Sequence, residues 1–143
     1  MKKFIVIFIA VIIVLLSLIY GYFTYTKNNN EILKNNAEYE SYLNKEIYGA
    51  ELATIMNKVI DSNETNAIDM DNKGKYIDNN INSIKMDILI TDNETLYDIE
   101  TIYRGGIENF VKNYNTIKFQ CSDIKYHETT NKVKYMLFKQ ISN

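Results

Sequence analysis

Apolar residues dominate the chain in one unbroken run and then recur at intervals. From Phe4 to Phe23 it reads FIVIFIAVIIVLLSLIYGYF, with no charge inside. Twenty helical residues at about 1.5 Å each span about 30 Å, the thickness of a hydrocarbon core. Every face of such a helix is apolar, which argues against burial in a soluble core. Lys2 and Lys3 precede the run, and Tyr20, Tyr22 and Tyr25 cluster at its far end. Basic flanks stay in the cytoplasm and amphipathic rings favour the membrane interface, so an uncleaved anchor with the C-terminal part outside is expected. A cleaved signal peptide is the competing reading. It expects an apolar region of about 7–15 residues and an Ala-x-Ala-like site. The run is longer, and Gly21-Tyr22-Phe23 offers no such site. No cysteine directly follows it, which excludes a lipoprotein anchor.

Thr24 to Glu46 has the weakest pattern. It holds Asn28-Asn29-Asn30 and Asn35-Asn36, with only Ile32, Leu33, Tyr39 and Leu43 near helical spacing. It reads as an Asn-rich stalk, helical in its second half, or as a flexible linker. Ile47 to Ser62 is a clearer helix. Tyr48, Leu52, Ile55, Met56 and Val59 share one face, and Asp61-Ser62-Asn63 ends it. Between Ala67 and Asn82, Asp71-Asn72-Lys73-Gly74 flanked by Ile68, Met70 and Tyr76 predicts a short hairpin. Ile84, Met86, Ile88 and Ile90 alternate with Lys85, Asp87 and Leu89, a strand with one face buried.

Asp98 to Tyr114 returns to helical period through Ile99, Ile102, Tyr103, Phe110 and Tyr114. Gly105-Gly106 interrupts it, and close packing against the bare backbone is preferred there over a break. Ile117 to His127 is a strand in which a bulge at Ser122-Asp123 brings Ile117, Phe119, Cys121, Ile124 and Tyr126 to one face. Glu128 to Lys132 is a turn in which Asn131 can take positive φ. Val133 to Ile141 is its partner, apolar on both faces at Met136-Leu137-Phe138 and therefore central or covered by a helix. The predicted fold is α+β: one transmembrane helix, then two helices on one face of an antiparallel sheet of about four strands. The expected domains are an anchor at 1–23, a stalk or linker at 24–46 and an exported domain at 47–143.

The whole chain is 143 residues, enough for one modest core after the anchor. One histidine, one cysteine and one arginine (Arg104) argue against most enzyme classes. Six extended residues separate Cys121 from His127 by about 20 Å, against the about 3 Å a dyad needs. A tetrahedral zinc site wants four nitrogen or sulfur ligands, and one cysteine cannot close an internal disulfide. Cys121 reads as a buried small hydrophobe and His127 as a solvated turn residue. Asp69-Met70-Asp71-Asn72-Lys73-Gly74 begins like a calcium loop, but Lys73 stands at the fifth position and Asn80 at the twelfth. Asn63-Glu64-Thr65 and Asn93-Glu94-Thr95 match the N-glycosylation pattern, as chance allows in an Asn-rich chain. Net charge is −2, or about −4 without Lys2 and Lys3. No basic stripe invites nucleic acid or anionic lipid.

Tyr48-Gly49-Ala50-Glu51-Leu52-Ala53-Thr54-Ile55-Met56-Asn57-Lys58 resembles a segment of small, N-terminally membrane-anchored proteins of low-GC Gram-positive bacteria (Firmicutes, Clostridia-like). Phe119-Gln120-Cys121, Ile124-Lys125-Tyr126-His127 and Tyr135-Met136-Leu137-Phe138 resemble their C-terminal part. Those proteins carry a glycine in the final turn, where Asn131 or Lys132 stands here. The resemblance implies an architecture and a source, and no activity. A second likeness is to type IV pilin-like proteins, although a Gly-Phe processing site and a Glu inside the apolar run are missing.

Three functions follow as expectations. The first is a non-enzymatic exported module that binds a membrane or envelope protein or supports an envelope assembly, while Phe4–Phe23 sits in the lipid bilayer. The second is a pilin-like assembly subunit. The third is an enzyme using Glu51, Asp87 or Glu100, which nothing in the sequence brings together. No catalytic, cofactor-binding or metal-binding residue is assigned.

Overall fold

A helix without a charge for twenty residues has no reason to stop inside them. The computed structural model describes residues 2–92 and 94–141, and its first element, α1, runs from Lys2 to Glu40. Among the described residues α1 is the helix long and apolar enough to cross a membrane, with mean hydropathy 3.1 over its best window and none of that window buried. Ser17 Oγ donates to Ile13 O at 2.8 Å, so the serine hydroxyl in the apolar run is satisfied within the helix. The Asn-rich stretch after Phe23 is helical as well, which replaces the linker expectation for 24–40. The chain divides after Asn35 into two compact units, so the folded domain begins at Asn36 and not at Ile47. Asn36 is buried there. Its Nδ2 donates to Asn131 O at 2.6 Å and its Oδ1 accepts from Val133 N at 3.1 Å.

The domain runs β1 (Glu46–Tyr48), α2 (Gly49–Thr65), β2 (Lys85–Ile90), β3 (Thr95–Asp98), α3 (Ile99–Gly105), α4 (Ile107–Tyr114), β4 (Lys118–Tyr126) and β5 (Val133–Gln140). The α+β class holds. The sheet has five strands in the order β1-β4-β5-β2-β3, and it is mixed: β2 lies parallel to β5 while the other pairs are antiparallel. Alternation reveals which face of a strand is buried and says nothing of its neighbour or direction, so the all-antiparallel expectation had no signal to correct it. Two short strands escaped the reading. Ile47 and Tyr48 belong to β1, and Tyr48 is exposed and not part of the α2 stripe. Thr95–Asp98 forms β3 ahead of the helix.

The rest of the α2 stripe is core: Leu52, Ile55, Met56 and Val59 are all 1 % exposed or less. Met86, Ile88 and Ile90 from β2 meet Met136 and Phe138 from β5 on the covered face of the sheet. The register shift in β4 falls between Cys121 and Asp123, as the change of phase predicts. It sets Cys121 opposite Phe138 and Ile124 opposite Met136. β5 is the central strand, which explains its apolar character on both faces. Asn131 takes φ +54° in the β4–β5 turn.

The second predicted helix is two helices. Gly106 has φ +87°, outside the range of a right-handed helix, and separates α3 from α4. The close packing expected at the glycine pair is absent at Gly105, where a Cβ would meet nothing within 4 Å, and at Gly106 a Cβ would come within 3.3 Å of the Asn109 amide in the next helix. Close approach occurs instead at Gly49, where a Cβ would lie 1.9 Å from Tyr114 O.

Candidate functional site

Alternation along β2 puts Asp87 on the face opposite Met86 and Ile88, and the antiparallel register sets Asp98 of β3 directly across from it. Like charges at facing positions repel, so such a pair needs compensation. Asp98 has three partners. Lys75 Nζ stands 2.8 Å from its Oδ2, and Thr101 N and Oγ1 donate to its Oδ1 at 2.8 and 2.7 Å, capping α3. Tyr135 OH donates to Asp87 Oδ2 at 3.1 Å. Glu100, in the first turn of α3, is 6 % exposed and accepts from Tyr76 N at 3.2 Å. These carboxyls and Lys75, Tyr76 and Lys85 line a cleft of about 220 Å³.

The cleft separates the proton affinities of its carboxyls. Burial raises the pKa of Glu100, and the nearby Asp98 and Asp87 charges add to the rise. Burial also raises Asp87, with the Tyr135 hydroxyl pulling the other way. Burial pushes Asp98 up too, but hydrogen bonds from Lys75 and Thr101 outweigh it and hold the group down. One ionised carboxylate beside two that hold protons more tightly is an arrangement able to retain a proton or bind a cationic group. Among the described residues, no group of three or more His, Cys, Asp or Glu side chains is placed to hold a metal ion. Two of the three carboxylates named from the sequence thus converge, and Glu51 does not. It sits exposed in the first turn of α2 with Lys45 Nζ 3.4 Å away. Asp98 was missed as a site residue, although an Asp three residues before Thr101 at the head of an apolar-periodic run is a recognisable cap.

Cys121 is fully buried, its Sγ 3.7 Å from Asp123 O. Burial pushes its thiol up to about 11, only partly opposed by that contact, which leaves it a poor nucleophile. His127 is not a solvated turn residue. It is 2 % exposed, with Nε2 2.8 Å from Ser83 O and Nδ1 3.9 Å from Asp78 Oδ1. A carbonyl can only accept, so Nε2 carries the hydrogen and Nδ1 is left without a hydrogen-bond partner. The turn expectation failed because Thr129 and Thr130 fold back onto Asn80 O and Ile81 O, and this second loop covers the ring.

The calcium-like string is a turn, as its Lys73 implies. Asp71 Oδ1 accepts from Lys73 N and Lys75 N, and Gly74 takes φ +70°. Asn63 is fully buried and exchanges two hydrogen bonds with Ile84, N and O, both at 2.8 Å, so it welds α2 to the start of β2 and presents no glycan acceptor. Asn93 of the second match lies outside the described residues. No protein-family model matches the chain, and no curated protein or solved structure matches it either.

Proposed function

We propose that the chain is a single-pass membrane protein, held in the bilayer by Phe4–Phe23 with its N-terminus in the cytoplasm, and that it displays a non-enzymatic α+β interaction domain on the outer side. The observation that carries this reading is the pairing of a wholly unburied apolar helix with a domain built on a well-filled core of its own. Lys2 and Lys3 supply the orientation through the positive-inside rule. The resemblance to small anchored proteins of low-GC Gram-positive bacteria points the same way. The uncovered face of the sheet suits an interaction role, since it mixes the exposed apolar side chains of Tyr48 and Leu96 with Lys85, Asp87 and Lys139.

One feature favours the pilin-like reading as a second possibility: α1 continues helical past the apolar run to Glu40. External protease on intact protoplasts tests the topology. Digestion of the domain is expected, and full protection of a folded, membrane-inserted chain overturns the outward orientation. Crosslinking in the same membranes separates the two roles. A ladder of the chain with itself supports the assembly subunit, and a discrete adduct with a different protein supports the interaction module.

A further inference from the structure

The break between α3 and α4 borders a second concavity, lined by residues other than those of the carboxylate cleft. It encloses about 240 Å³. Phe110 is buried beneath it and stacks on Tyr114 at 5.0 Å between ring centroids. Tyr97, half-buried in β3, lines it as well. Among the described residues its lining carries no charged side chain, in a chain of which 24 % is charged. An ionic ligand would find no partner there and would lose its hydration, so the groove selects for a neutral one.

The polar groups of the groove are amides and hydroxyls. Asn109 Nδ2 donates to Gly105 O at 2.7 Å and Asn113 Nδ2 to Asn109 O at 3.0 Å. Each amide is thereby held by the turn before it, and both belong to exposed residues whose carbonyl oxygens can accept. Thr101 lines the groove too, but its hydroxyl already donates to Asp98. Aromatic rings in the wall, neutral amides beside them and a volume fit for one ring together define the ligand.

We propose that this groove binds a single neutral, hydroxyl-bearing sugar ring, its apolar face on the tyrosines and its hydroxyls on Asn109 and Asn113. The site stands on the domain alone and does not depend on the orientation of the anchor. Saturation-transfer NMR on the full chain in lipid nanodiscs tests it, with N-acetylglucosamine and glucose as probes. Glucosamine, glucuronate and p-cresol serve as cationic, anionic and purely aromatic controls. The expected result is transfer to the neutral sugars above both charged ones and above p-cresol. Gly105→Trp should abolish it, because Gly105 lines the groove and a Cβ there collides with nothing. Asn113→Ala, at an exposed position, should weaken binding about tenfold with unchanged melting. Equal transfer to a charged sugar, preference for p-cresol, no transfer to either neutral sugar, or binding that survives Gly105→Trp each overturns the proposal.

Discussion

At the scale of single residues, the positions that matter most are small or polar ones whose role depends on a distant segment. Gly49 starts α2 at the point where the C-terminus of α4 crosses it, and its N–H donates to Ile117 O at 2.9 Å. A Cβ would collide with Tyr114 O, a backbone atom that cannot rotate away. Gly49→Ala should therefore cost about 3 kcal/mol or more of folding stability, at the upper end for overpacking. Urea unfolding measures it, and a midpoint like that of the wild type would show that the helices separate freely. Asn63, Asn36 and His127 are of the same kind, polar side chains buried because each completes the backbone hydrogen bonds of another segment. In a chain this rich in Asn, the two that count look like all the others.

At the scale of elements, loops and turns hold the domain as firmly as its strands. Asp78 in the loop before β2 binds Lys134 Nζ at 2.6 Å and accepts from Asn80 N and Ser83 Oγ at 2.8 and 3.2 Å, with His127 Nδ1 facing it at 3.9 Å. Burial pushes its carboxyl up, but these hydrogen bonds outweigh burial and hold it at about 2, below the ordinary 3.8. A carboxyl with a depressed folded-state pKa stabilises above its unfolded value, and that contribution is lost as pH falls through the folded one. The stability difference between wild type and Asp78→Asn should thus be full at neutral pH, shrink below about pH 4 and vanish only below about pH 2. Denaturant titrations across that range check it, and a pH-independent difference would place the loss in packing and not in the charge. Glu100 and Asp87 act in the opposite sense. Their raised pKa values mean that ionisation destabilises the fold, so protonation on acidification favours it.

At the scale of the whole molecule, the chain divides after Asn35 into two compact units. A fragment from Asn36 onward should be soluble and unfold cooperatively. One that starts after Glu40 loses both Asn36 hydrogen bonds and the packing of Tyr39 against the core. It should be weaker by about 2–4 kcal/mol, since it leaves two backbone groups unsatisfied. Equal stability of the two fragments, read by thermal or urea unfolding, would mean that the end of α1 is dispensable to the domain.

The residues alone determined the long apolar N-terminal helix, the α2 stripe, the one-faced β2, the β4 bulge and the glycine-bearing turn at Asp71–Gly74. All of these are local: period, charge and turn chemistry act over a few neighbours, and burial of an apolar face follows directly from them. Strand order, the parallel β2–β5 pairing, the burial of His127 and the meeting of Asp87, Asp98 and Glu100 were settled by tertiary structure. Each depends on which distant segment arrives alongside, and a strand's alternation is the same whichever neighbour it pairs with and in whichever direction. The break at Gly106 lies between the two. The glycines were visible, but only the free space beside Gly105 shows that they open a groove and do not close one.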